Sequence, residues 1–244
     1  MDKKSNPASE NGVKKASDEA IAGILTLMEE GKIAEGEVSP EEKKKIVENA
    51  FHAFEEHLQN GMAVLLREAG EELKMKSLEL SPANFLPDPD KIRHAGDKEY
   101  LAKSMESGTS LWEIYGFREE AMIRFFEIGN YLLEKQRTQE AVDVFICLTS
   151  LAPYEVSFWH GLARAEIANQ EMDAADAAYE MALQGDPENH NLYHEAIRQF
   201  YLSKQPEKVK KFIDLAKAWA NSNPDKPGSR VLTQVLEEND YEYS

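Results

Sequence analysis

The sequence predicts an all-α protein whose C-terminal half is a stack of three helix–turn–helix units. Two observations lead to this fold class. Apolar residues recur at helical spacing along most of the 244 residues, and the alternation typical of strands is almost absent. The chain after about Glu99 also repeats itself with one fixed period, of the length typical of stacked helical repeats.

Similar side chains occupy matching places in the three units. The sets that recur at this period are Phe125, Trp159 and Tyr193; Ile128, Leu162 and Ala196; Gly129, Ala163 and Ile197; Ala141, Ala175 and Val209; Phe145, Tyr179 and Ile213; and Leu148, Ala182 and Ala216. Pro153 and Pro187 close the first two units. The pattern resembles the tetratricopeptide repeat, although Ala196-Ile197 replaces its Leu-Gly in the third unit. Because one unit cannot bury its apolar face alone, the resemblance implies an α-solenoid of three repeats with flanking helices.

The chain before the repeats divides into three parts. Residues 1–17 are polar and rich in lysine, which predicts a disordered tail. Residues 18–79 are predicted to form an N-terminal helical extension, in which Ser39-Pro40-Glu41-Glu42 is a helix start followed by an apolar stripe. The stripe needs a partner, which could be the helix at 18–31, the C-terminal half or a second copy of the chain. Three prolines then predict a linker over residues 80–98, before a repeat domain with a C-terminal capping helix at 99–244.

Composition excludes several classes of partner. The net charge of -17 repels phosphate backbones and anionic lipid headgroups, so neither nucleic acid nor a membrane is an expected partner. The same charge favours cationic or apolar partners. A single cysteine, Cys147, permits no internal disulfide. The sequence has no secretory signal and no apolar run long enough to span a bilayer, which predicts a cytoplasmic protein.

The first helix of each repeat, its A helix, is expected to line a concave groove. The residues predicted to point into this groove are Phe126, Asn130 and Leu133; His160, Arg164 and Ile167; and His194, Arg198 and Tyr201. They combine aromatic and aliphatic side chains with two arginines in an otherwise acidic chain. Arg164 and Arg198 could meet carbonyl or carboxylate groups of a bound peptide, or they could pair with neighbouring glutamates on a solvated face.

The stretch from Gly108 through Leu236 resembles the class II chaperones of type III secretion systems, the translocator chaperones. The resemblance rests on the leader Gly108-Thr109-Ser110-Leu111-Trp112, on the turn of the first repeat at 131–141, on Phe158-Trp159-His160-Gly161-Leu162 and on the closing helix through Arg230-Val231-Leu232. It implies a cytoplasmic protein that holds an extended segment of a hydrophobic, pore-forming translocator in its groove and keeps it soluble before secretion. It also implies that the predicted groove residues of the first two repeats contact the bound segment. A further implication is a homodimer face at Leu111, Trp112 and Ile114, although packing within the chain would explain these apolar residues equally well.

Three further interpretations concern the linker and the rival functions. Because Pro82 and Pro87 are spaced like the prolines of family clients, residues 80–90 could plug the groove of their own or a neighbouring chain; a plain linker is the alternative. Catalysis is not expected, since the sequence has no phosphate-binding glycine loop and no nucleophile elbow, and neither a cofactor nor a metal is predicted. His190 and His194 have metal-ligand spacing but lack the glutamate of zinc proteases. The alternative function is a tetratricopeptide adaptor that binds a partner's peptide or C-terminal tail.

Overall fold

The computed structural model describes residues 57, 59–69, 86–95, 100, 103–104 and 107–238. No strand occurs in these residues, and the predicted all-α, solenoid-like fold is confirmed. The helices are α1 Pro89–Ala95, α2 Leu111–Tyr115, α3 Glu119–Glu134, α4 Thr138–Leu151, α5 Val156–Asn169, α6 Met172–Gly185, α7 His190–Leu202, α8 Pro206–Ser222 and α9 Pro227–Glu238. A further helical segment covers residues 59–69.

The three predicted repeats correspond to three helix pairs, α3 with α4, α5 with α6 and α7 with α8. From α3 to α9 each helix packs on the next one along the chain, and the A helices α3 and α5 also touch each other across the first repeat boundary. The third unit forms the same pair of helices as the others, because Ala196 and Ile197 are both buried where Leu-Gly stands in the pattern. Helix α9 covers the end of the stack by packing on α8 and α7.

The side chains that recur from one repeat to the next form the core. All the large members of these sets are buried, including Phe125, Phe145 and Tyr179, which have no exposed surface. The aromatic residues on the A helices also repeat a hydrogen bond. The Trp159 Nε1–H donates to the Pro153 carbonyl at 2.8 Å, and the Tyr193 hydroxyl donates to the Pro187 carbonyl at 3.3 Å. Each bond ties an A helix to the proline turn that precedes it.

The turns within the three repeats share a backbone conformation that the sequence does not predict. Gln136, Gln170 and Lys204 have φ values of 58, 67 and 57°, and they stand at equivalent places one repeat apart. A residue in the left-handed region ends an α-helix tightly, and glycine or asparagine is the usual choice there. The stack therefore holds three non-glycine residues in this conformation, one at the turn between the first and the second helix of each repeat.

The helical segment at 59–69 packs on α4. Gly61 is buried there, and a Cβ atom added to it would lie 2.2 Å from the Asp143 carbonyl oxygen and 2.9 Å from the Cys147 Cβ. A buried hydrogen bond joins the His57 Nδ1 and the Asp143 Oδ1 at 2.6 Å. Val64, Leu65 and Ala69 of the segment belong to the main hydrophobic core. For the described residues, the apolar stripe of the extension therefore has the C-terminal half as its partner.

A group of four charged residues at the end of this contact joins the two parts further. The Arg137 Nη2 donates to the Glu68 Oε1 at 2.8 Å, and the Arg137 Nε donates to the Glu140 Oε1 at 2.7 Å. Arg67 also pairs with Glu68 and Glu140. The hydrogen bond from Arg137 lowers the pKa of Glu140 to about 2, with a smaller contribution from Arg67. All four groups are thus charged at neutral pH, and they link the extension to the start of α4.

The described part of the predicted linker is not a plain extended chain. Pro89 begins helix α1, since the first position of a helix needs no N–H donor. The Asp88 N–H donates to the Tyr115 carbonyl at 3.0 Å, and the Lys91 Nζ donates to the Glu113 carbonyl at 3.3 Å, so α1 lies against the end of α2. Residues 80–85 lie outside the described residues, as do the tail at 1–17 and most of the extension. The domain boundaries stay predictions.

Candidate peptide-binding face

The nine residues predicted for the groove lie on the three A helices, and we call them the A-helix wall. Three are on α3 (Phe126, Asn130, Leu133), three on α5 (His160, Arg164, Ile167) and three on α7 (His194, Arg198, Tyr201). Their exposure is graded. The apolar members Phe126, Leu133 and Ile167 are half-buried against the core, whereas Arg164, Arg198 and Tyr201 are exposed. The wall therefore offers apolar surface flanked by polar groups.

A row of polar side chains crosses the wall and connects the three A helices. The Asn130 Nδ2 donates to the Phe126 carbonyl at 3.1 Å, which turns the Asn130 Oδ1 towards α5. That oxygen accepts from the Arg164 Nη1 at 3.1 Å. Arg164 also faces Glu195 of α7, with 3.8 Å between the Arg164 Nε and the Glu195 Oε1. The other oxygen of Glu195 lies 2.8 Å from the His160 Nε2.

Glu195 is the member of this row that sequence reasoning missed. It is half-buried, and the hydrogen bond from His160 is the largest of the effects that lower its pKa. Arg164 and Arg198 add smaller contributions of the same sign. The repeat spacing could have indicated Glu195, because it stands one full repeat after Gly161. That position of an A helix faces the preceding repeat.

The two arginines of the wall differ in their surroundings. Arg164 pairs with Glu195 and Asn130, as the solvated-face alternative proposed. Arg198 is exposed and its guanidinium forms no hydrogen bond or ion pair with a described residue, although its charge lowers the pKa of Glu195. Of the two, Arg198 has the guanidinium that is available to a bound peptide.

The Tyr179 side chain lies directly beneath the row. Its ring centroid is 6.2 Å from that of His160, and it is fully buried among Phe200 and Phe212. Its hydroxyl has no hydrogen-bond partner in the part of the chain that the structure describes. Burial is the main effect that raises the pKa of this hydroxyl, and the charge of Glu195 adds to it. The Tyr179 phenol is therefore an uncharged core side chain on which the A-helix wall packs.

A pocket of about 480 Å³ opens beside the first repeat, where α2, the start of α3 and the start of α5 meet. Four aromatic residues, three glutamates and smaller side chains line it: Ser110, Trp112, Glu113, Glu119, Met122, Ile123, Phe126, Ala152, Tyr154, Glu155, Ser157 and Phe158. Phe126 belongs to both the wall and the pocket, and its ring centroid lies 5.7 Å from that of Phe158. Sequence analysis assigned Phe126 to the groove and Trp112 to a dimer face but did not predict the pocket, because its lining residues come from three helices and a turn.

The residues predicted for a dimer face take part in packing within the chain. Ile114 is 2% exposed, and Leu111 and Trp112 are half-buried against the core. The capping of α2 holds them there, since the Glu113 carboxylate accepts from the Ser110 N–H at 3.0 Å. Packing within the chain thus accounts for Ile114 fully. A homodimer through Leu111 and Trp112 stays a prediction.

Cys147 and the metal-ligating side chain types are the remaining candidates for a chemical role. Burial raises the pKa of the Cys147 thiol to about 12, so it is a neutral core side chain. Among the described residues, no group of three or more histidine, cysteine, aspartate or glutamate side chains is arranged to hold a metal ion. Over the same residues, no helix has both the length and the apolar character needed to cross a bilayer.

Comparison with known proteins gives a partial structural likeness. No protein-family model matches the chain, and no curated protein matches it in sequence. The CopN–Scc3 complex contains a similar chain, with 17% identity and a TM-score of 0.44 over 53% of this chain and 75% of that one. The type III secretion translocator chaperone SycD of Yersinia enterocolitica is similar at 16% identity, with a TM-score of 0.42 over 53% of this chain and 97% of SycD. Both scores lie below 0.5, so the likeness is partial and assigns no function.

Proposed function

We propose that this chain is a chaperone of a type III secretion system. In this proposal it binds an extended internal segment of a hydrophobic translocator protein along the A-helix wall and keeps that protein soluble in the bacterial cytoplasm before secretion. It acts by binding alone, without catalysis or a cofactor. The observation that carries the proposal is the wall itself, which has half-buried Phe126, Leu133 and Ile167 on its first two A helices and exposed Arg198 and Tyr201 on its third.

The composition of the wall suits an extended segment. Half-buried apolar side chains can receive every second residue of a strand-like peptide, while the polar groups beside them can bond its backbone. The pocket next to Phe126 gives one side chain of such a segment a deeper site. The motifs from Gly108 to Leu236 that resemble translocator chaperones cover the same part of the chain. These features together favour a hydrophobic client over a small-molecule ligand.

The charges of the wall argue against the alternative function, capture of a partner's free C-terminus. A terminal carboxylate is held best by several cationic or amide donors that converge on it. On this wall Arg164 and Asn130 bond each other and Arg164 faces the carboxylate of Glu195, which leaves Arg198 as the one arginine of the wall that could receive it. A second carboxylate placed there would meet Glu195 as a like charge. An internal segment, which carries no terminal charge, avoids that repulsion.

Affinity purification of the full chain from its native cells tests this function. We expect a hydrophobic exported protein to co-purify with the wild type and to fall at least about tenfold with the variant Arg164→Glu/Arg198→Glu, which reverses two charges on the wall. The matched control, Lys210→Glu/Lys217→Glu, makes the same change in charge at exposed positions of α8 and should retain the partner.

Two results would contradict the proposed function. One is the absence of any hydrophobic exported protein from all fractions of the wild type. The other is equal recovery of the partner with the wall variant and the control variant. Circular dichroism of both variants verifies that the helical fold is intact, so that a lost partner reports on the wall and not on unfolding.

A further inference from the structure

The pocket beside the first repeat has walls and a rim of different chemistry. Its walls are aromatic and aliphatic, with Trp112, Phe126, Tyr154 and Phe158 joined by Met122 and Ile123. Tyr154 is 75% exposed and Ile123 is 53% exposed, so both side chains present apolar surface to solvent at the edge of the pocket. A volume of about 480 Å³ is within the range of ligand sites and exceeds what one small side chain fills.

Among the described residues, the rim of this pocket carries three carboxylates and no basic group. Glu113, Glu119 and Glu155 all line it, and all three are exposed. The Glu113 carboxylate is engaged by the Ser110 N–H. The carboxylates of Glu119 and Glu155 form no hydrogen bond or ion pair with a described residue, in contrast to the paired carboxylates of Glu68, Glu140 and Glu195. Two unpaired negative charges therefore face the mouth of an aromatic pocket.

We infer that this pocket binds a basic side chain, arginine or lysine, of the client segment. The inference rests on the proposed function and specifies one feature of the client. The aliphatic stem of the side chain packs on Met122 and Ile123, and its cationic head lies over the aromatic rings and meets the carboxylates of Glu119 and Glu155. A purely apolar side chain would bury the rings but would leave both carboxylates beside an uncharged group.

The net charge of the chain does not account for this preference. With a charge of -17, the whole surface attracts cations weakly, and salt screens that attraction beyond about 8 Å at physiological ionic strength. The pocket differs in combining π faces with unpaired carboxylates within one cavity. The preference for a basic side chain should therefore be a property of Glu119 and Glu155 and not of the surface as a whole.

A titration with blocked amino acids tests the pocket without requiring the client. N-acetylarginine methylamide, N-acetyllysine methylamide and N-acetylnorleucine methylamide, the last of which has an aliphatic side chain without charge, are added to the full chain. Binding is followed by the NMR signal of the Trp112 indole N–H, assigned with a Trp112→Phe variant. We expect arginine or lysine to bind about tenfold more tightly than norleucine, from one cation–π contact and two ion pairs.

Variants then assign the preference to the two carboxylates. In Glu119→Gln/Glu155→Gln, binding of the basic compounds should weaken about fivefold, while that of norleucine should stay unchanged. The control Glu207→Gln/Asp214→Asn removes the same charge from exposed positions of α8 and should change neither. Equal binding of all three compounds, no shift of the Trp112 signal, or the same loss in both variants would overturn the inference. Because no client is used, these outcomes are independent of whether an exported partner exists.

Discussion

Replacing Gly161 with alanine is expected to destabilise the protein by about 1–3 kcal/mol, although the same change in a roomy helix stabilises it by roughly 0.5–1 kcal/mol. A Cβ atom at Gly161 would lie 2.2 Å from the Phe145 Cε1. The ring has no room to retreat, because its other edge lies against Gly129, where an added Cβ would be 2.7 Å from the Phe145 Cζ. Phe145 is fully buried, so overpacking here cannot be relieved towards solvent.

Urea unfolding followed by circular dichroism measures this effect, and a double-mutant cycle assigns it to Phe145. Phe145→Leu alone should destabilise the protein because it leaves a cavity. In the Gly161→Ala background the same change should be less harmful by about 1 kcal/mol or more, because the shorter side chain makes room for the new methyl group. Stabilisation by Gly161→Ala, or additive effects in the cycle, would show that the Phe145 ring does not need the space that a glycine at position 161 leaves.

A shift of the Phe145 ring would also affect the A-helix wall and the pocket. The Phe126 ring packs edge-on against Phe145, with 6.1 Å between centroids, and Phe126 belongs to both the wall and the pocket. A displaced Phe145 therefore moves a side chain that the proposed client would contact. The glycine in Phe158-Trp159-His160-Gly161-Leu162 is explained by this packing alone.

Replacing Gly61 with leucine is expected to detach the segment at 59–69 from α4 and to expose Cys147. The added side chain would meet the Asp143 carbonyl, which is backbone and cannot rotate away. Overpacking of about 1–3 kcal/mol shifts the local opening equilibrium by roughly 5–150-fold. Cys147 reports this opening because it is 1% exposed and lies against Gly61. Its rate of modification by a thiol reagent should rise in proportion.

A matched variant in the same segment provides the control. Ala63 is exposed, so Ala63→Leu adds the same side chain on the solvent side of the segment and should leave Cys147 protected. Far-ultraviolet circular dichroism distinguishes local opening from loss of the whole fold. If Cys147 stays protected in Gly61→Leu, the segment is not what covers it, and the packing of the extension on α4 is wrong.

The repeat core could be predicted from the sequence because its physical signal is periodic. Each of the matched sets fills the space within or between helix pairs, so size and polarity recur in register from one repeat to the next. Even the third repeat, whose match to the pattern is weaker, folds as predicted, since Ala196 and Ile197 are apolar and small enough to be buried there. The predicted wall residues lie on the three A helices for the same reason.

Features without a period could not be predicted. The left-handed turn residues Gln136, Gln170 and Lys204 are in register, but their residue types give no sign of a positive φ. The stripe of the extension had three possible partners, and it is the contacts in space, such as those of Gly61 and His57 with Asp143, that select α4 among them. The pocket combines a leader helix, a turn and two repeats, and the bond between His160 and Glu195 joins residues from different repeats. Such sites depend on how the elements meet in space.

Site-specific photo-crosslinking in native cells tests most directly whether the A-helix wall holds an extended internal segment. A benzophenone amino acid replaces Tyr201, which is exposed on the wall, or Leu215, which is exposed on α8 away from it. The proposed function predicts that position 201 crosslinks to one continuous internal stretch of a hydrophobic exported protein and that position 215 does not. Crosslinks from position 201 to the C-terminal residues of a partner, or equal crosslinking from both positions, would contradict it.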